Sequence, residues 1–109
     1  MDRVFKALAD PSRRDVLDRL FSNDGQTLSE LCNDTPFSRQ ALSKHLALLE
    51  SAGLLVSHFR GREKLHYLNP VPIHEIAARW ISKYANRRLT ALAALKQSLE
   101  ENNDGKTRL

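Results

Sequence analysis

The sequence predicts a mainly α-helical fold with one small β-hairpin, an α+β class, and three observations carry that prediction. Apolar residues recur in threes and fours through five stretches, the spacing of one buried helical face. Between the fourth and fifth stretches the pattern turns extended on both sides of Arg60-Gly61-Arg62, as in a hairpin with a basic tip. A length of 109 residues suits a single domain.

Val4, Phe5 and Leu8 share one side of a short first helix, which stops near Asp10-Pro11 because a proline disfavours helical backbone before it. Asp10 caps a second helix with Pro11 in its first position, and Val16, Leu17, Leu20 and Phe21 recur at core spacing until Asn23-Asp24-Gly25. Thr27 and Glu30 form a capping box for a short third helix that turns Leu28 and Leu31 inward and ends before Thr35-Pro36. Ser38 caps a fourth helix, with Leu42, Leu46 and Leu49 on one face and Gly53 as its left-handed stop. Two short helices so closely joined make a helix-turn-helix. Leu54, Val56 and Phe59 then lead into the basic tip, and Leu65, Tyr67 and Leu68 return with His66 among them. A long helix follows from Pro72 to about Glu101, and Asn102 to Leu109 read as a polar, fraying tail. The elements add up to one winged helix-turn-helix domain over residues 1–109, with a core at 4–70, a terminal dimerisation helix at 71–101 and a flexible tail at 102–109.

Net charge is +4 and the isoelectric point near 9.6, which favours a polyanionic partner. Residues 1–37 hold five Lys or Arg against seven Asp or Glu, residues 38–66 five against two, and residues 67–109 seven against four. The basic excess therefore begins at the fourth helix. Cys32 stands alone, so one chain has no internal disulfide and no multi-cysteine zinc site, as suits a reducing cytoplasm. No apolar run approaches the ~18 residues of a membrane span, and Met1-Asp2-Arg3-Val4-Phe5 form no signal peptide. The expectation is a cytoplasmic protein without a membrane partner.

A helix enters the major groove only with short polar or cationic groups on its exposed face, because base edges there offer hydrogen-bond donors and acceptors. Ser38, Arg39, Gln40, Ser43 and Lys44 lie opposite Leu42, Leu46 and Leu49 and meet that demand. Arg39 and Gln40 suit base edges, while Ser38, Ser43 and Lys44 suit phosphates. Taken alone, this stretch is equally well an ordinary solvated face. What tips the balance is the hairpin after it, whose Arg60, Arg62 and Lys64 come where a wing would reach backbone or minor groove. The implied partner is a double-stranded DNA operator.

The run Ser38-x-x-x-Leu42-Ser43-x-His45-Leu46-x-x-Leu49-x-x-Ala52-Gly53-Leu54-Leu55, followed by Arg60-x-Arg62, resembles the ArsR family of transcriptional regulators, as does the opening Ala7-Leu8-Ala9-Asp10-Pro11-Ser12-Arg13-Arg14. The likeness covers about residues 4 to 70, while the terminal helix matches only in kind. It implies a dimeric repressor whose fourth helix reads the operator. Metal-sensing relatives carry paired cysteines in the third helix or Asp-His and His-Glu pairs in the last. Here Glu30-Leu31-Cys32-Asn33-Asp34 retains one thiol, and His74 has no later histidine as partner.

Residues Ile76, Trp80, Tyr84, Leu92 and Leu95 exceed what so small a domain can cover and are expected to form the dimer interface, helped by Phe5 and Leu8 of the first helix. No cofactor and no metal is expected, since transition metals need several convergent donors. Cys32 reads as a small buried hydrophobe, with thiol oxidation or a small ligand the other routes to a signal. His45 reads as a structural histidine joining wing and helix. No nucleophile, base and orienting group stand at readable spacing, so catalysis is not expected. The remaining alternative is a winged-helix module that docks a protein instead of DNA. No feature of the sequence names an effector.

Overall fold

Asp10 separates the first two helices by capping the second, and the computed structural model places its carboxylate 2.7 Å from the Ser12 amide. That model describes the backbone of residues 1–107 and the side chains of residues 1–102. Helix α1 spans Asp2–Leu8, α2 Pro11–Ser22, α3 Leu28–Asp34 and α4 Arg39–Ser51. Strands β1, Leu55–Arg60, and β2, Glu63–Leu68, precede α5, Val71–Thr107. The chain divides into two compact units, residues 1–74 and the helical remainder from Glu75 onward.

Helices α1 to α4 and the hairpin enclose one core in which Val16, Leu20, Leu31, Leu42, Leu49 and Leu54 are fully buried. Helix α1 differs from expectation at both ends of its pattern. It starts at Asp2, whose carboxylate suits the positive end of a helix, and it buries Val4 and Ala7 while Phe5 stays exposed and Leu8 half-buried. Phe21, expected in the core beside Leu20, is 81 % exposed because Val16, Leu17 and Leu20 already complete the inner face of α2.

The caps are those the sequence names. Thr27 Oγ1 accepts from the Glu30 amide at 3.2 Å and donates to Glu30 Oε1 at 3.2 Å, so the glutamate closes the box on the hydroxyl. Ser38 Oγ accepts from the Ala41 amide at 3.1 Å. Gly53, at φ 79°, turns the chain out of α4 into the hairpin.

β1 and β2 pair antiparallel with Leu55 opposite Leu68 and Arg60 opposite Glu63, leaving Gly61-Arg62 as a two-residue turn. Only Gly61 of the two has positive φ, 64°, the pattern of a type II′ turn. The base of the hairpin is pinned to the helices by backbone. His66 and Gln26 exchange amide hydrogen bonds of 2.8 and 3.2 Å, and Asn69 donates from its amide to Leu54 O and from Nδ2 to Gly53 O, both at 2.8 Å. Gly25, at φ 73°, lies so close to Tyr67 that a Cβ would stand 2.9 Å from the ring, so the α2–α3 turn and β2 meet only over glycine.

α5 has 37 residues and is about 55 Å long. Its helical backbone runs past Glu101 to Thr107. Positions 108 and 109 of the expected tail lie outside the described residues. Among the described residues, no helix is long and apolar enough to cross a membrane.

Candidate nucleic-acid interface

The buried Leu42, Leu46 and Leu49 fix which face of α4 turns outward, and Ser38, Arg39, Gln40, Ser43 and Lys44 are all exposed on it. The Arg39 guanidinium leans toward α3 and donates from Nη1 to Ser29 Oγ at 3.2 Å. It thereby shares its position with the other helix of the helix-turn-helix, while Gln40 and Lys44 follow the neighbouring side of the helix.

Three wing cations lie in three settings. Arg60 bonds across the strand pair to Glu63 at 3.3 Å, and both side chains are mostly exposed. Such a pair is worth about 0–1 kcal/mol and yields readily to a phosphate. Arg62 stands exposed at the turn. The Lys64 ammonium lies 3.6 Å from Glu50 Oε2, at the last turn of α4. A cleft of about 490 Å³ brings Arg39 and Ser43 of α4 together with Arg62 and Lys64 of the wing. Ser38, Gln40, Lys44 and Arg60 do not line it.

Glu50 is a residue the sequence reading missed. Its Oε1 accepts from Ser57 Oγ of β1 at 2.7 Å while its Oε2 faces Lys64 of β2. The Ser57 hydroxyl first, then the Lys64 ammonium, hold its carboxyl below the usual carboxylate range against the opposing effect of burial. One signal was available: an acidic side chain in the last turn of a helix opposes the macrodipole, and such a residue stays put when a tertiary partner offsets that cost.

His66 also lines the cleft, and it is 6 % exposed with an Nδ1 that has no hydrogen-bond partner. Burial chiefly, and the Lys64 charge second, push its pKa below the ordinary 6.5, with Glu50 pulling weakly the other way. A depressed histidine pKa means that the folded state resists a proton the unfolded chain accepts. Stability from this group is therefore complete above pH 6.5 and is lost as the pH falls below it toward the lowered value. Thermal unfolding between pH about 7.5 and about 5 should show a drop in midpoint that is smaller in His66→Gln. Parallel curves for the two proteins would contradict this.

His45 does not join wing to helix as expected. Its ring meets Phe37 edge-on, with centroids 5.6 Å apart, so it anchors the segment before α4, and the histidine at the wing base is His66. Cys32 is half-buried on α3. Among the described residues no three His, Cys, Asp or Glu side chains gather as a metal set.

On α5, Ile76 is half-buried, and Trp80, Tyr84, Leu92 and Leu95 are exposed, Tyr84 by 64 %. Ile81, Leu89 and Leu99 are exposed as well.

Comparison with known proteins places these features. Residues 8–58, from the end of α1 through the helix-turn-helix into β1, match a helix-turn-helix domain family. The chain is 38 % identical over 86 residues to the uncharacterized HTH-type transcriptional regulator YuzN of Bacillus subtilis, covering 73 % of this chain and 94 % of that one. It is 30 % identical to the transcriptional repressor SdpR of the same organism, over 80 % of this chain and 94 % of the relative. Among solved structures, an ArsR-like transcriptional regulator from Rhodococcus sp. RHA1 superposes with a TM-score of 0.70 at 35 % identity, covering 84 % of this chain and 87 % of that one. With its capped α4, its basic hairpin and its long terminal helix, this chain belongs to the ArsR family of winged helix-turn-helix, DNA-binding transcriptional regulators.

Proposed function

We propose that the protein is a homodimeric, cytoplasmic repressor that occupies a two-fold symmetric operator. Arg39 and Gln40 read base edges in the major groove. Ser38, Ser43, Lys44, Arg60, Arg62 and Lys64 meet the sugar–phosphate backbone. The observation that carries this reading is the cleft shared by Arg39 and Ser43 of α4 with Arg62 and Lys64 of the wing, since a groove-reading helix and a backbone clamp must face the same duplex. The name of the SdpR relative supports repression over activation.

Dimerisation rests on the apolar side chains that α5 leaves exposed. Burying one such residue fully is worth about 1.5–3 kcal/mol, so Trp80, Tyr84, Leu92 and Leu95 on two copies supply enough for a stable pair after the cost of association. Phe5 and Leu8 of α1 add apolar surface to the same purpose. Sedimentation of the full chain at micromolar concentration should show a dimer, and titration of a duplex carrying its preferred site should saturate at two chains per duplex. A monomer that saturates the duplex one to one would remove both α5 as the interface and the two-fold operator.

The alternative of a protein-docking winged helix predicts that Arg39→Ala and Gln40→Ala leave function intact. The charge on the α4–wing side favours the DNA reading.

A further inference from the structure

Helix α4 and the wing can grip one duplex only if the angle between them is held. The hairpin is tied to the helical body by backbone at its base, around Gln26, His66 and Asn69, whereas its cationic tip lies several residues away. A free two-stranded ribbon is marginally stable and twists readily. Some side-chain contact higher along the strands has to restrain it.

Glu50 supplies one, reaching from Ser57, on the rung of His66, to Lys64, two residues nearer the tip. In the antiparallel register Ser57 pairs with His66 and Phe59 with Lys64, so Ser57 and Lys64 are diagonal neighbours on one face of the hairpin. The two oxygens of a single carboxylate from the last turn of α4 reach both: Ser57 Oγ at 2.7 Å and Lys64 Nζ at 3.6 Å. We infer that Glu50 is a positioning residue for DNA binding, a brace that locks the wing to the recognition helix through Ser57 on β1 and Lys64 on β2. The inference rests on the reading of α4 and the wing as the two DNA-contacting elements. It also changes the role of one wing cation, because a lysine held by a carboxylate acts as a strut before it acts as a phosphate contact.

The alternative is that Glu50 is only a charge near DNA, and the two ideas predict opposite signs. Removing a carboxylate beside a polyanion should tighten binding to every duplex by simple electrostatics. Removing a brace should weaken binding where helix and wing must engage together, and leave loosely positioned binding almost untouched.

The full chain, its Glu50→Ala, Glu50→Gln and Ser57→Ala variants would be titrated on a duplex selected from a random pool and on a scrambled duplex, with backbone 15N relaxation of Phe59 to Lys64 measured without DNA. Charge-assisted hydrogen bonds of this kind support an expected loss on the order of tenfold on the selected duplex for Glu50→Ala. Glu50→Gln, which keeps an acceptor for Ser57, should lose less, and Ser57→Ala should fall between the two. Affinity for the scrambled duplex should hold or rise, and the wing amides should gain fast motion in Glu50→Ala while the unfolding midpoint stays near that of the parent. Equal or tighter binding of both duplexes with unchanged wing relaxation would overturn the brace. If the parent itself fails to distinguish the duplexes, the reading of α4 fails, and the relaxation measurement still decides whether Glu50 holds the wing.

Discussion

Replacing Arg39 or Gln40 with Ala is expected to cost about 1–3 kcal/mol per half-site on the preferred duplex and much less on random DNA, so that specificity falls with affinity. In the proposed two-fold complex the loss would count twice. Arg39 begins from its bond to Ser29 Oγ at 3.2 Å, a neutral acceptor on an exposed side chain that a base edge offering two acceptors would displace. The wing variants should differ in kind. Arg62→Ala should weaken selected and scrambled duplexes alike, and since each lost phosphate contact removes about 0.9 from the magnitude of the log-affinity against log-salt slope, two copies should flatten it by about 2. Lys64→Ala should flatten it by less if Glu50 holds that ammonium, and Arg60→Ala should lie nearer Arg62→Ala because the Glu63 pair is exposed. Titrations at several salt concentrations on both duplexes measure all of this. Equal losses on both duplexes for Arg39→Ala and Gln40→Ala would mean that α4 is not the reader.

The second large effect concerns stability. Leu42 has no exposed surface and is the part of the core that lies beneath the polar face of α4. Leu42→Ala removes buried methyl groups from the centre of a small core and leaves a cavity, at a cost of about 2–5 kcal/mol. A domain of this size has about 5–15 kcal/mol in total, so the variant should lose a large fraction of its stability and with it the fixed orientation of Arg39 and Gln40. Urea unfolding should show a lower midpoint with an unchanged slope, the protein concentration being held constant because a dimer's stability depends on it. A shift corresponding to less than about 1 kcal/mol would mean that the core is not centred under α4.

The local part of the fold was legible because its signals are local. Asp10 before Pro11, Thr27 before Glu30, Ser38 before an apolar run and Gly53 after it each act within four residues, and the three helices α2, α3 and α4 stand where those residues put them. Phe21 misled because periodicity says which residues can share a face and not how wide that face is. Val16, Leu17 and Leu20 fill it, and the phenylalanine is left outside. The end of α5 misled for the converse reason: the apolar stripe stops after Leu99, and helical backbone does not need it, persisting to Thr107.

At the interface, the residue types and their order along the chain were legible, and their pairings were not. Arg39 with Ser29, Glu50 with Ser57 and Lys64, and His66 with Gln26 each join different elements, and they exist only once those elements have packed together. A run such as Arg60-Gly61-Arg62-Glu63-Lys64 looks uniform in sequence, yet its cations end in an exposed cross-strand pair, at an exposed tip and against a helix-borne carboxylate.

The most direct test of the central claim is selection of bound sequences from a pool of random duplexes by the full-length protein. A dimer that reads with α4 and clamps with the wing should enrich an inverted repeat, with half-sites whose centres lie one helical turn, about 10 base pairs, or a multiple of it apart. Recovery of unenriched sequence, or of a single unrepeated half-site, would contradict a two-fold operator-reading regulator.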